Sequence, residues 1–103
     1  MKFKVFKFKK VKSTNNTAIR VLKNTNIYYG MISSESQNNG RGQYGKKWLS
    51  FKGNLFVSFF FKLDDLKISF KQLTKLNCLL VRKILSTYYK KKIIYKKPND
   101  LLI

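Results

Sequence analysis

The chain has 103 residues, a length suited to one domain or part of one, with a modest core. Its net charge is +19, but 44% of its residues are hydrophobic, which argues against intrinsic disorder. The single cysteine, Cys78, excludes an intrachain disulfide, and no apolar run is long enough to cross a bilayer. We therefore expect a soluble, cytoplasmic protein with no membrane partner, whose lysine-rich surface attracts acidic molecules.

The N-terminal half alternates predicted strands with one helix. Apolar side chains alternate with lysines over residues 3–9, which predicts a strand with one solvated face. Ser13-Thr14-Asn15 can then cap a short helix that continues through Leu22. Residues 27–32 predict a second strand, and residues 37–47 predict a polar, glycine-bearing loop, which is the first place to look for chemistry.

The C-terminal half continues this alternation. Residues 55–61 are largely apolar and predict a strand buried on both faces. From Leu66 to Tyr88 apolar residues recur at helical spacing, which predicts the longest helix, with Cys78 buried in it. A short strand at residues 93–95 follows, and we expect the apolar run at 101–103 to form a strand without a partner. This alternation of strands and helices favours an α/β or α+β fold with helices packed on a sheet.

Residues 40–48, Gly-Arg-Gly-Gln-Tyr-Gly-Lys-Lys-Trp, form a segment that we call the glycine loop. Its three glycines let the backbone approach a ligand closely, so that backbone amides can face an anion. Arg41 adds a guanidinium suited to a carboxylate or phosphate, and Trp48 adds a flat face for a planar ring. The glycine loop thus indicates an anion site, although an ordinary surface loop fits the short pattern equally well.

Five sequence blocks give the chain a resemblance to biotin protein ligases. They are Ser13-Thr14-Asn15, then Glu35-Ser36-Gln37 with Gly40-Arg41-Gly42 and Gly45, then Trp48-x-Ser50, then Gly53-Asn54-Leu55 with Ser58, and last Lys96-x-Pro98-Asn99-Asp100-Leu101. They occur in the order and approximate spacing of that family, from about residue 6 to the end. The resemblance implies that residues 1–103 are part of the catalytic domain, C-terminally incomplete, with a mixed β-sheet and helices on one side. We expect this chain to lack the N-terminal winged-helix domain of some members and also the family's small C-terminal domain.

The activity that the resemblance implies has two steps. Biotin and ATP, with Mg²⁺, give biotinyl-5′-AMP and pyrophosphate, and a lysine of the biotin carboxyl carrier protein of acetyl-CoA carboxylase then takes the biotinyl group. The family's catalytic lysine follows the Pro98-Asn99-Asp100-Leu101 block, beyond the residues of this chain. We therefore expect a truncated or split form, whose 103 residues alone catalyse biotin-dependent ATP–pyrophosphate exchange weakly or not at all.

The site residues follow from the resemblance position by position. The implied biotin contacts are Ser13, Thr14, Gln37, Gly40 and Arg41. The implied contacts to ATP or the adenylate are Gly42, Gln43, Trp48 and Asn99. Arg41 and Asp100 would be the catalytic groups, with Asp100 also a metal ligand. Family members usually carry Arg at the position of Gln43 and often a second basic residue at the position of Tyr44. The glycine loop of this chain therefore carries less positive charge.

Two other functions compete with this interpretation. A lipoate ligase or octanoyltransferase relative would share the fold, but the sequence has no histidine and no Arg-Gly-Gly segment. A non-catalytic, basic nucleic-acid-binding module would use the aromatics that interleave with lysines near the N-terminus as a stacking platform. Those aromatics fit the core face of an edge strand better, and we expect no specific DNA binding.

Overall fold

A computed structural model describes residues 3–62 and 67–103, which belong to two compact units, Met1–Leu63 and Asp64–Ile103. The first unit contains five strands and one α-helix in its described part: β1 (Lys4–Val11), α1 (Thr14–Asn24), β2 (Tyr29–Gln37), β3 (Gly40–Arg41), β4 (Lys47–Trp48) and β5 (Phe56–Phe61). The described part of the second unit contains α2 (Phe70–Leu85), β6 (Ile94–Lys96) and β7 (Asp100–Leu102). The fold is a mixed α/β structure, as the sequence predicts.

Helix α1 begins where the sequence predicts it to begin. Ser13 is extended and caps the helix, because its Oγ accepts a hydrogen bond from the backbone amide of Asn16 at 3.3 Å. The Thr17 hydroxyl donates to the Ser13 carbonyl at 2.9 Å, which ties the first turn together. The helix ends at Asn24, and the buried side chain of Ala18 faces the sheet.

The main sheet of the first unit has three strands in the order β1-β2-β5. Strand β1 is parallel to β2, and β2 is antiparallel to β5, so the sheet is mixed. Ile32 at its centre is fully buried and packs with Ala18 and Phe60. Gly30 permits this packing, because a Cβ there would lie 2.5 Å from the Lys4 carbonyl oxygen and 2.7 Å from the Phe60 ring.

Two strand predictions need correction. Strand β2 does not end at Ile32 but continues to Gln37, because its polar second half still pairs with β1 as far as Val11. Strand β5 is not buried on both faces. Its side chains alternate, and Phe59 and Phe61 on the face away from the core are 63% and 48% exposed.

The second unit is built on α2 and the β6–β7 hairpin, which contact each other. Ser69 and Gln72 form a reciprocal capping box at the start of α2, whereas the predicted start, Leu66, lies outside the described residues. The helix ends three residues before Tyr88, and Cys78 is half-buried instead of buried. The last apolar run is not an unpaired strand, because β7 pairs with β6. None of the helices described in residues 3–62 and 67–103 is long and apolar enough to cross a membrane.

Candidate functional site

A pocket of about 410 Å³ opens in the first unit. This volume lies in the range of small-molecule sites in proteins. The residues that line it are Ser13, Thr14, Asn15, Gln37, Arg41, Trp48, Leu49, Asn54, Leu55, Phe56, Val57 and Ser58. Five of the residues that the sequence predicts for the site therefore meet in one cavity, although they come from three separate segments of the chain.

Four polar residues, Ser13, Thr14, Gln37 and Ser58, form what we call the site floor. The start of α1, the end of β2 and the middle of β5 supply them. Ser13, Thr14 and Ser58 are at most 8% exposed, and Gln37 is half-buried. The backbone amide of Thr14 donates to Gln37 Oε1 at 3.1 Å, which joins the helix N-terminus to the end of β2.

The hydroxyl groups of the site floor have defined directions. Ser58 Oγ lies 2.8 Å from Thr14 Oγ1 and also contacts Asn15 Oδ1. A carbonyl oxygen can only accept a hydrogen bond, so Ser58 donates its single proton to Asn15, and Thr14 donates to Ser58. The Thr14 oxygen consequently keeps lone pairs with which it can accept a hydrogen bond from a ligand.

Gly40 lies beside the Gln37 side chain and is not among the described residues that line the pocket. Gln37 Nε2 donates to Ser50 Oγ at 2.9 Å, and the Gly40 backbone packs against both groups. A Cβ at Gly40 would lie 2.6 Å from Ser50 Oγ, 2.8 Å from Gln37 Nε2 and 2.9 Å from the Trp48 carbonyl oxygen. Packing alone therefore requires glycine at this position, apart from any contact with a ligand.

The glycine loop is more regular than the sequence predicts. Strands β3 and β4 pair Gly40 with Trp48 and Arg41 with Lys47, and a 3-10 turn lies between them. This pairing converts part of the predicted irregular loop into a short hairpin. Arg41 and Trp48 line the pocket, whereas Gln43 is exposed in the turn and Gly42 donates its amide proton to the Lys46 carbonyl at 2.7 Å.

The pocket presents two kinds of surface to a ligand. Neutral hydrogen-bonding groups and apolar side chains such as Phe56 and Val57 form one part. The glycine loop supplies positive charge through Arg41, with Lys46 and Lys47 exposed nearby in the sequence. No Asp or Glu appears among the described lining residues. This arrangement suits a ligand with an uncharged polar part and an anionic end.

Asn99 and Asp100 belong to the second unit. Asn99 lies in the turn of the β6–β7 hairpin, and Asp100 is the first residue of β7, paired with Lys96. The described residues contain no group of three His, Cys, Asp or Glu side chains that could hold a metal ion. The assignment of Asp100 as a metal ligand stays a prediction.

The sequence prediction missed three groups that support the site. Ser50 is hydrogen-bonded to Gln37, and Ser58 is hydrogen-bonded to Thr14. Asn15 accepts the Ser58 proton. The available signal was their presence in the Trp48-x-Ser50 block and in the blocks that contain Asn15 and Ser58. Their roles depend on strand register, which the blocks do not specify.

Comparison with known proteins places this geometry in a family context. Residues 6–103 match the model of the biotin/lipoate A/B protein ligase family. The biotin protein ligase from Aquifex aeolicus in complex with biotin and ATP matches at a TM-score of 0.80 and 30% identity, over 96% of this chain and 41% of its own. Two solved structures of lower sequence identity share the fold. The Helicobacter pylori biotin acetyl coenzyme A carboxylase synthetase with bound biotinylated ATP has a TM-score of 0.75 at 24% identity, over 98% of this chain and 48% of its own.

The Leishmania major biotin protein ligase in complex with biotinyl-5-AMP matches this chain at a TM-score of 0.74 and 20% identity. It is matched over 95% of this chain and 46% of its own length. The chain therefore spans less than half the length of these relatives.

Proposed function

Because this chain belongs to the biotin/lipoate A/B protein ligase family, we propose that its pocket binds biotin and ATP and supports formation of biotinyl-5′-AMP. The observation that carries this proposal is the meeting of Ser13, Thr14, Gln37, Arg41 and Trp48 in one cavity. The chain spans 41% of the length of the Aquifex aeolicus ligase, so the complete reaction is proposed for a whole enzyme of this family.

The site floor suits the uncharged polar ring of biotin. That ring is a cyclic urea, which has N–H donors and a carbonyl acceptor on adjacent atoms. Thr14 Oγ1 retains acceptor capacity, and Gln37 retains one N–H donor and one lone pair after its internal hydrogen bonds. The apolar lining residues, among them Phe56 and Val57, can contact the hydrocarbon part of the ligand.

The glycine loop suits the charged part of the reaction. A biotin carboxylate oxygen attacks the α-phosphorus of ATP, an O–P bond forms, and the bond to pyrophosphate breaks. Two unit charges about 4 Å apart repel by roughly 4 kcal/mol at an effective dielectric constant near 20. Arg41 at the pocket would offset this repulsion, while Trp48 would offer its ring to adenine. Gly42 and Gln43 follow Arg41 in the chain, and we propose that they contact the adenylate.

Other parts of the reaction are proposed for the complete ligase. Asn99 and Asp100 would act near the phosphates, where Mg²⁺ would be held mainly by phosphate oxygens and water. The biotinyl group would pass to a lysine of the carboxyl carrier protein of acetyl-CoA carboxylase, in the cytoplasm. The role proposed for Asn99 and Asp100 is supported by the resemblance of the Lys96–Leu101 block to the family.

A lipoate or octanoate ligase is the second candidate, because the family includes both kinds of enzyme. Biotin is favoured because the solved structures at 30% identity and above include a biotin protein ligase that binds biotin and ATP. The nucleic-acid module has less support. Phe6 and Phe8 of β1 pack against the core cluster, so they cannot serve as an exposed stacking platform.

Calorimetric titration of the 103-residue chain with biotin and, separately, with lipoate tests the proposal. We expect biotin to bind and lipoate to bind far more weakly. Gln37→Ala should weaken biotin binding, whereas Ser36→Ala should not, because the Ser36 hydroxyl donates to the Lys9 carbonyl on β1 and lines no part of the pocket. Equal binding of lipoate would favour the second candidate, and no binding of either compound would overturn both.

A further inference from the structure

We propose that Ser50 is a positioning residue that fixes the Gln37 amide for biotin recognition, and that Gly40 is glycine in order to leave room for this pair. The inference rests on the proposed function, because it assumes that Gln37 contacts biotin. Ser50 and Gly40 are not among the described residues that line the pocket, so they would act through Gln37 and not on the ligand itself.

The hydrogen bonds of Gln37 determine which way its amide faces. Its Oε1 accepts from the Thr14 backbone amide at 3.1 Å, and its Nε2 donates to Ser50 Oγ at 2.9 Å. The backbone amide can only donate, so the oxygen must lie on the α1 side and the nitrogen on the Ser50 side. A rotation of the amide by 180° would place two donors, Nε2 and the Thr14 amide, against each other.

Ser50 is oriented in turn by the glycine loop. Its Oγ lies 3.4 Å from the Trp48 carbonyl oxygen, to which it can donate its single proton. With its proton directed there, the hydroxyl presents a lone pair to Gln37. Ser50 thereby connects a residue of the pocket rim, Trp48, to the amide in the site floor.

Glycine at position 40 leaves the space in which Ser50 and Gln37 form their hydrogen bond. A Cβ at position 40 would approach Ser50 Oγ to 2.6 Å and Gln37 Nε2 to 2.8 Å, closer than real Cβ contacts. An alanine would therefore push apart the two groups that share the hydrogen bond. Gly40 is buried and its φ lies outside the left-handed region, so the need for glycine is steric and not conformational.

Biotin titrations of matched variants of the full chain test this inference. Ser50→Ala should weaken biotin binding by about 3- to 10-fold, the range expected for one lost neutral hydrogen bond. Ser50→Thr keeps the hydroxyl and should restore most of the affinity. Ser36→Ala removes a neighbouring serine hydroxyl outside the pocket and should bind biotin like the unaltered chain.

A double substitution separates positioning from direct contact. In a Gln37→Ala background, Ser50→Ala should cause no further loss, because the group that Ser50 orients is gone. If the two losses simply multiply, Ser50 acts independently of Gln37 and the inference is wrong. If Ser50→Ala binds biotin with unchanged affinity, the inference is likewise overturned while the proposed function stands.

A measurement without ligand tests the geometry separately. In a ¹H–¹⁵N correlation spectrum, the Gln37 side-chain amide signals are identified by their disappearance in Gln37→Ala. They should shift in Ser50→Ala and in Gly40→Ala but not in Ser36→Ala. Unshifted signals in Ser50→Ala would refute the Ser50–Gln37 hydrogen bond. A chain that shows these shifts but binds no biotin would instead refute the proposed function.

Discussion

The site floor and the glycine loop line the same pocket but differ in how they are held. Ser13 of the floor is 2% exposed, and within residues 3–62 and 67–103 every buried side-chain nitrogen or oxygen atom has a hydrogen-bond partner. In the glycine loop Tyr44 is 96% exposed and Trp48 is 60% exposed. The floor is therefore organised before a ligand arrives, whereas the loop still has most of its surface to bury.

This difference assigns the two regions different parts of recognition. Preorganised neutral groups discriminate between ligands, because a wrong ligand leaves buried donors or acceptors unpaired. Exposed cations attract and balance charge, but solvent and salt weaken them until the site closes. We therefore expect substitutions in the floor to change the affinity for biotin and substitutions in the loop to change the affinity for the charged adenylate.

The largest effect should come from Arg41, the charged residue of the glycine loop that lines the pocket. Arg41→Ala should weaken binding of a stable biotinyl-adenylate analogue by about 10- to 100-fold, because a hydrogen bond to a charged group contributes roughly 1.5–3 kcal/mol. Lys52→Ala, which removes an exposed cation outside the pocket lining, is the matched control. Equal losses in the two variants, measured by calorimetry, would mean that only the net charge matters.

The sequence predicts these two regions unequally, and the reason is physical. The glycine loop and, within the floor, the helix cap at Ser13 are local features that short-range chemistry indicates. The rest of the floor is not local. The contact of Ser58 with Thr14 depends on the register of β5 against β2, which pairs Ser58 with Ile32. The largely apolar sequence of β5 gives no alternation from which this register could be predicted.

The resemblance to biotin protein ligases compensated for part of this gap. It brought Ser13, Thr14, Gln37, Arg41 and Trp48 into one predicted site, and the structure places all five around one pocket. It could not give the supporting hydrogen bonds, because motif blocks specify residue identities and leave side-chain directions open.

Two helix caps provide the next test. Ser13→Ala and Ser69→Ala each remove an N-cap hydroxyl, and each should lower the free energy of unfolding by about 1 kcal/mol. Only Ser13 lines the pocket, so only Ser13→Ala should also weaken biotin binding. Thermal unfolding and calorimetry measure the two effects. Unchanged biotin affinity in Ser13→Ala would assign this serine to helix capping alone.

A smaller effect should follow when charge is added to the loop. Gln43→Arg introduces the residue that biotin protein ligases usually carry here, at an exposed position of the 3-10 turn. Exposed charge pairs contribute about 0.2–1 kcal/mol, so adenylate-analogue binding should strengthen by roughly 1.5- to 5-fold at low salt. The gain should vanish at high salt. Asn26→Arg adds the same charge at an exposed position outside the pocket, and an equal gain there would remove the special role of position 43.

The smallest effect concerns backbone conformation at Tyr44. This residue has φ 58° and ψ 34°, in the left-handed region, where a side chain costs roughly 1 kcal/mol relative to glycine. Tyr44→Gly removes that cost, but the more flexible glycine stabilises the unfolded chain by about 0.5–1 kcal/mol through its conformational entropy. The free energy of unfolding should therefore change little. Tyr44→Ala keeps the conformational cost and serves as the control. Thermal unfolding that shows a loss above about 1 kcal/mol in both variants would mean that the Tyr44 ring stabilises the fold, contrary to its exposure. The glycine loop would then be held by packing as the site floor is, and the contrast between the two regions would fail.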